Sequence, residues 1–453
     1  MLNRRQLLAT TGCAAALGCF PLAKTQASAS KSPHILLRSS WQSVNIGDIG
    51  HTPGALSLIE KYLPDAQVTL WPGELGHGAK EFLQAAYPRL KIAEGSVKAG
   101  KPSTDALAEA WAGADLYLSG SGSGFPASNH AAAFLDATGK PCGVFGVSSD
   151  PVSGFGKGRD PEGGTLVSLR ERAMSLPAGS LSAELRSIID RCRFFFCRDS
   201  ITRDYLKNQG VKTPILEFGP DAQLGMPLRN DEAAERFLTE SGLRTGEFIC
   251  VIPRLRYTPY YRIRPGAVRT KDDDVKDAIN DRTTSGDHAK LRDLICRYVR
   301  KTGHKVLACP EMTYQVELAK QELVDPLPDD VKSRVVWRST YWLPDEAASV
   351  YTAAQAVISL ECHSPLISLR NGTPTFYVRQ PTDTCKGQMY RDFGAGRWLF
   401  EIDETDGVML WAELERIVSD PRSAAAQVAE IMGRVEALQH HMVDTVRAAV
   451  HTA

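Results

Sequence analysis

The sequence predicts an α/β protein of two doubly wound, Rossmann-like domains facing a cleft. Three observations carry this expectation. Apolar runs of strand length alternate with segments of helical length from His34 nearly to the C-terminus, and such alternation gives mostly parallel sheets covered on both faces. The alternation runs through twice, and Met226-Pro227-Leu228-Arg229-Asn230 between the two rounds reads as a crossover linker. The length, 453 residues, corresponds to two or three domains. Composition is ordinary for a soluble globular chain, with 43% hydrophobic and 23% charged residues. The 53 basic and 53 acidic residues cancel, so no global field draws the chain to nucleic acid, and none is expected as a partner.

Residues 1–29 precede the first domain and read as a leader. Arg4-Arg5-Gln6-Leu7-Leu8, the apolar run from Ala9 to Leu22, and Ala27-Ser28-Ala29 together resemble a twin-arginine signal peptide cleaved after Ala29. The apolar run is too short to span a bilayer comfortably, so no integral membrane span is expected in the mature chain. The implied location is periplasmic or cell-envelope. Cys13 and Cys19 leave with the leader, and the eight remaining cysteines, of which Cys192 and Cys197 are closest in sequence, read as buried thiols. Nothing matches a zinc-ligand spacing, and neither metal nor cofactor is expected.

The first domain, residues 33–225, opens with strand 34–40. The loop SVNIGDIGHTPG follows, then a helix near 55–63 and strand 66–72. A helix near 81–87, strand 90–94, helix 104–111 and the strand with its glycine loop at 114–124 come next. Helix 129–137, strand 141–149, helix 181–190, strand 193–200, helix 201–208 and strand 214–221 complete the domain.

The second domain, residues 231–453, begins with strand 247–254. One long irregular insert, Arg256 to Asp287, mixes Tyr257, Tyr260 and Tyr261 with Arg262 and Arg264. The run Asp272–Asp274 would repel phosphate, so a lid stacking on a sugar ring is the economical reading, with a solvated surface loop as the alternative. Helix 285–301, strand 304–311, helix 314–322, strand 334–339 and helix 344–351 follow. After the stretch described next come strand 397–403 and helices near 408–418 and 423–450.

Ala356 to Lys386 is the stretch that points to chemistry. An apolar strand, 356–360, ends at Glu361, Cys362 and His363. Ser364 suits an N-cap and Pro365 the first helical position, while Gly372 suits the position after the helix. Strand 375–379 follows, with Arg379 and Lys386 beyond the corner. His363 therefore stands at a strand's carboxyl end beside a helix N-terminus, where open α/β sheets bind ligands and anions.

Weaker motifs fall at other strand ends: Asn45-Ile46-Gly47-Asp48, the Ser119–Gly124 run of alternating Ser and Gly, Arg198-Asp199-Ser200, and Pro220-Asp221-Ala222. In this order, followed by the His corner and Gly372-Thr373-Pro374, they resemble the polysaccharide pyruvyl transferase family. The likeness covers most of the mature chain. It implies a GT-B-like fold and transfer of a pyruvyl unit from phosphoenolpyruvate, or a similar anionic donor, to a polysaccharide or glycan of the cell envelope, forming a ketal.

The likeness also implies roles. His363 matches the donor-site His and would supply the proton. Arg254 or Arg256 would match a donor-binding Arg, with Ser364, Arg379 and Lys386 as further anion-holding groups. Asn45, Gly47, Asp48 and Ser121 would line the acceptor side. Glu361 stands where the family usually has Arg, two residues before the His; there it would raise the His363 pKa and pair with it as an acid/base couple. Two other readings share the architecture: an exported carbohydrate-binding protein on an inactive transferase scaffold, and a glycosyltransferase using a nucleotide sugar.

Overall fold

The computed structural model describes residues 32–451, so the leader read over residues 1–29 lies outside them. Residues from Pro33 onward form one compact unit holding two main sheets. The strands of the first are β1 (His34–Ser39), β2 (Gln67–Pro72) and β3 (Lys91–Ile92), then, past the two-stranded ribbon β4 (Val97–Lys98) and β5 (Lys101–Pro102), β6 (Leu116–Ser119), β7 (Gly122–Ser123), β8 (Cys142–Ser148), β9 (Phe194–Cys197) and β10 (Ile215–Phe218). The second sheet holds β11 (Phe248–Ile252), β12 (Lys305–Ala308), β13 (Val335–Trp337), β14 (Val357–Ser359), β15 (Thr375–Arg379) and β16 (Leu399–Glu401).

Both sheets are parallel and both reverse direction once. The first runs β10-β9-β8-β6-β1-β2-β3 and the second β13-β12-β11-β14-β15-β16. Strand order therefore reverses between β1 and β6 in one domain and between β11 and β14 in the other. In an open α/β sheet the crevice beyond the strand ends at such a reversal is where ligands bind. The fold is thus two Rossmann-like domains of GT-B type, as expected. Strands such as Phe194–Cys197 and Phe248–Ile252 are buried along their whole length, as required of parallel strands covered on both faces.

The structure departs from the sequence expectation at three points. The stretch read as a loop before residue 55 is helical from Ile46 to Tyr62, despite Gly47, Gly50, Pro53 and Gly54. Twelve of its residues are buried, and tertiary packing of that extent overrides local propensity. Most of the predicted insert is also helix: Lys271–Thr302 begins on a capping box between Thr270 and Asp273, and Asp272–Asp274 occupy its positive N-terminal turn. Only the segment from Arg256 to Arg269 remains irregular, around the short turn Tyr260–Ile263.

Finally, the terminal helix Pro421–His451 serves both domains. Ala424, Val428, Ile431 and Val435 pack into the core around the second sheet, whereas Met442, Val443 and Val446 pack into the core around the first. All eight described cysteines are free thiols, with Cys142 and Cys192 placing their sulfurs 3.9 Å apart. Among the described residues, no helix is long and apolar enough to cross a membrane.

Candidate functional site

The two strand reversals converge on one cavity of about 180 Å³. From the first domain it is lined by Gln42, Asn45, Asp48, His51, Ser123 and Arg198. Arg254, Thr258, Tyr260, Met312, Glu361, His363, Thr384 and Lys386 line it from the second. Of the residues singled out from the sequence, His363, Glu361, Arg254, Lys386, Asn45 and Asp48 therefore meet.

The Asn45–Asp48 element is positioned by its own chemistry. Asn45 caps the helix, its side-chain carbonyl accepting from the Gly47 N–H at 2.6 Å. The backbone then crosses to the other domain: Ile46 N–H donates to the Glu311 carbonyl (3.1 Å) and Thr313 N–H to the Val44 carbonyl (3.0 Å). Gly47 is required by contact, because a Cβ there would lie 2.2 Å from Cγ of His363. Gly54 answers a similar demand, since a Cβ would meet the Ala222 carbonyl oxygen at 2.0 Å. The glycines that disguise this helix thus let it approach the His363 corner and the Pro220-Asp221-Ala222 turn. Gly47→Ala is expected to cost about 1–3 kcal/mol of stability through overpacking and to displace the His363 ring. Urea unfolding and a crystal structure would check this, and a variant of unchanged stability with an unmoved ring would reject the contact.

His363 opens the helix His363–Arg370, with Cys362 preceding it. The predicted N-cap, Ser364, instead lies inside the first turn. Its N–H is satisfied from outside the helix by Glu311 Oε2 at 2.5 Å, and its hydroxyl meets the Tyr351 hydroxyl at 3.1 Å, away from the cavity. The other oxygen of Glu311 lies 3.2 Å from His363 Nδ1. Glu311, at the end of the β12 segment, is thus the partner that sequence reasoning missed.

Glu361 is not that partner. It accepts from Gln315 at 2.7 Å and faces Nε of Arg254 at 3.1 Å. Contrary to expectation, the His363 pKa is not raised: burial first, then the neighbouring His51, lower it to about 3. Burial lifts Glu311 to about 7, against the hydrogen bonds from Ser364. It also lifts Glu361 to about 8, against the pull of Arg254. Near neutrality the His363 imidazole is therefore neutral, Glu361 is largely protonated and Glu311 partly so.

Arg254 and Lys386 meet behind the cavity on Asp383, with Lys386 Nζ at 3.5 Å. Burial works against the charge of each, but their carboxylate neighbours outweigh it and raise both pKa values. Three other predicted residues lie elsewhere. Arg256 is clamped by both oxygens of Asp287 at 2.9 Å and by Asp403. Arg379 is fully buried and spends its donors on Glu401 (2.6 Å) and the carbonyls of Gly164 (2.9 Å) and Thr384 (2.7 Å). The buried Ser121 hydroxyl bridges the Phe145 carbonyl (2.7 Å) and the Ala222 N–H (3.0 Å), leaving Ser123 on the cavity wall.

The Arg198-Asp199-Ser200 and Pro220-Asp221-Ala222 motifs also converge here. Arg198 Nη1 donates to Asp221 Oδ2 at 2.6 Å, and the same oxygen lies 3.2 Å from Nε2 of His51. Burial pushes the Asp221 carboxyl up, but His51, Arg198 and His363 outweigh it and hold the group well below the usual range. The His51 and His363 rings meet edge to face at 5.2 Å. Among the described residues, His51, Asp221 and His363 form the one group of side chains with ligand-type atoms all within 4.8 Å of one another. A divalent cation there would face the Arg198 guanidinium across a shared carboxylate oxygen, so the set does not suit a metal.

The family profile for polysaccharide pyruvyl transferase matches residues 45–380. No curated protein matches. Among solved structures, S. aureus MnaA with UDP aligns with a TM-score of 0.52 at 10% identity, over 88% of this chain and 91% of that one. The UDP-GlcNAc 2-epimerase from Neisseria meningitidis bound to UDP-GlcNAc aligns with a TM-score of 0.50 at 8% identity, over 92% and 100%. A UDP-glucosyltransferase from Polygonum tinctorium gives 0.50 at 9%, over 92% and 98%. At such identities the likeness is one of fold.

Proposed function

The chain belongs to the polysaccharide pyruvyl transferase family, and from that premise we propose that it transfers the pyruvyl unit of phosphoenolpyruvate, or of a donor with the same carboxylate and phosphate, to two hydroxyls of a cell-envelope glycan. One observation carries the reading: His363 and the cations Arg198, Arg254 and Lys386 line the same interdomain cavity. A small polyanion needs such donors, and Arg suits carboxylate and phosphate in particular. Glu361 does not spoil the site, because burial keeps it largely protonated near neutrality and Arg254 faces it directly.

The chemistry balances. C3 of the donor gains one proton, two sugar oxygens bond to C2, and the C2–O bond to phosphate breaks. Of the two hydroxyl protons, one makes good the proton given to C3 and the other leaves with the phosphate. In this reading His363, with Glu311 behind its Nδ1 at 3.2 Å, delivers the proton to C3.

The test is release of phosphate from phosphoenolpyruvate by the mature protein with envelope glycans, alongside UDP-sugars as donors. Ketal formed on the glycan supports the reading; transfer only from the UDP-sugars would replace it. In this reading Tyr260, on the cavity wall and 38% exposed, stacks on the sugar ring. Tyr260→Ala should raise the acceptor KM by about 3–10-fold, corresponding to about 0.5–1.5 kcal/mol of stacking, with donor KM unchanged.

Export of the protein is part of the same proposal and rests on Arg4-Arg5 and Ala27-Ser28-Ala29.

A further inference from the structure

A ketal-forming transfer needs a base for the attacking hydroxyl as well as an acid for the donor carbon. The second domain supplies His363 backed by Glu311. The first domain presents a matching pair that the donor chemistry does not use. His51 is 1% exposed and lines the cavity. Both ring nitrogens are buried without a hydrogen bond among the described residues; Nε2 lies 3.2 Å from Asp221 Oδ2, close enough to donate to it after a small ring rotation, whereas Nδ1 has no such neighbour. Asp221 is itself held by Arg198 at 2.6 Å. A polar ring atom left without a partner at that depth costs stability, so its retention on the wall of the cavity points to a ligand that supplies the partner.

Resting on the transferase reading above, we infer that His51 takes the proton of the attacking sugar hydroxyl through Nδ1, and that Asp221 is the positioning residue that fixes the Nε2–H tautomer. The oxygen–hydrogen bond of the acceptor breaks as its oxygen bonds to C2, and the proton passes to Nδ1. The 5.2 Å contact between the His51 and His363 rings sets the two proton-transfer groups side by side, one for C3 of the donor and one for the hydroxyl that attacks the adjacent C2. Arg198 keeps Asp221 ionised, so His51 can become imidazolium without the carboxylate taking its proton.

The inference is tested in full-length protein labelled with 15N-histidine, with the His51 signals assigned by their loss in His51→Gln. The Nε2–H tautomer is expected in the wild type and a mixed or reversed tautomer in Asp221→Asn; an Nδ1–H tautomer in the wild type would overturn the assignment. In turnover with phosphoenolpyruvate and glycan, His51→Gln should lower kcat by about 10²–10⁴-fold with donor KM within about threefold. If the wild type turns over and His51→Gln matches it, the inference fails and the transferase reading stands. A wild type without turnover ends that reading, and with it the role of His51 as its base. One equivalent of zinc or manganese in the purified protein, lost in His51→Gln, would assign the group to a metal and also overturn the inference.

Discussion

His363→Gln should lower the rate of pyruvyl transfer by about 10²–10⁴-fold, the usual yield of one well-placed acid–base group, while donor KM changes little. Glutamine keeps the volume beside Gly47, so the loss would report proton transfer rather than packing. The pH profile should carry a second signature. Below about pH 7 the imidazole is neutral, its pKa near 3, and the proton behind it resides on Glu311, whose pKa is about 7. A raised carboxyl pKa means that the proton is present below it and lost above it. The wild-type rate should therefore fall as pH rises through about 7 to 8, where Glu311 and Glu361 titrate together. The residual rate of His363→Gln should lack that dependence on Glu311. A loss smaller than threefold, with the alkaline fall intact, would remove His363 from the reaction.

What the sequence revealed and what it hid follow from how far apart the contributing residues lie. His363 was legible because strand, corner and helix signals are contiguous, and a strand's end in a doubly wound sheet is a predictable place. Arg254 and Lys386 were legible for the same reason. Arg256 and Arg379, equally cationic and equally near strand ends, were indistinguishable from them in sequence; the difference is that they are turned onto Asp287, Asp403 and Glu401 off the cavity, whereas Arg254 and Lys386 line it. Glu311 was hidden because its partner is 52 positions away. His51 was concealed inside a helix whose glycines and Pro53 imitate a loop. Its pairing with Asp221 spans the whole first domain. One missed signal was local: Thr270-x-x-Asp273 is a readable capping box, and reading it would have moved the long helix's start to Lys271.

The same convergence explains why the motifs are short. Each contributes one or two groups to a cluster assembled across domains: Asn45 and Gly47 shape the approach, Arg198 and Asp221 form its charged floor, and His363 closes it. No single stretch carries enough of the site to look like one. The residues that touch the cavity and those that hold them in place are therefore interleaved, and stability and chemistry share groups.

Asp221→Ala shows that sharing most directly, and it should destabilise the protein by about 3–5 kcal/mol, the usual effect of stripping a buried charge of its partner. Asp221 is fully buried and Arg198 is 3% exposed. Without the carboxylate, the guanidinium keeps only Ser148 Oγ at 3.0 Å among its short contacts. Arg198→Met in the same chain should recover part of the loss, since an apolar side chain of similar length needs no counter-charge. The pH dependence has a defined sign. The Asp221 pKa is depressed in the folded state, so its contribution is complete above the unfolded value of about 3.9 and is lost as pH falls below it toward the folded value. His363, also depressed, adds a loss that begins below about 6.5. Glu311 and Glu361, whose pKa values are raised in the folded state, act in the opposite sense between about pH 8 and 4, so the Asp221 signature is read below about pH 4, where urea midpoints should fall more steeply for wild type than for Asp221→Ala. A single variant that loses under about 1 kcal/mol, or a double variant no more stable than the single, would show that Arg198 reaches water or another acid and is not held by Asp221.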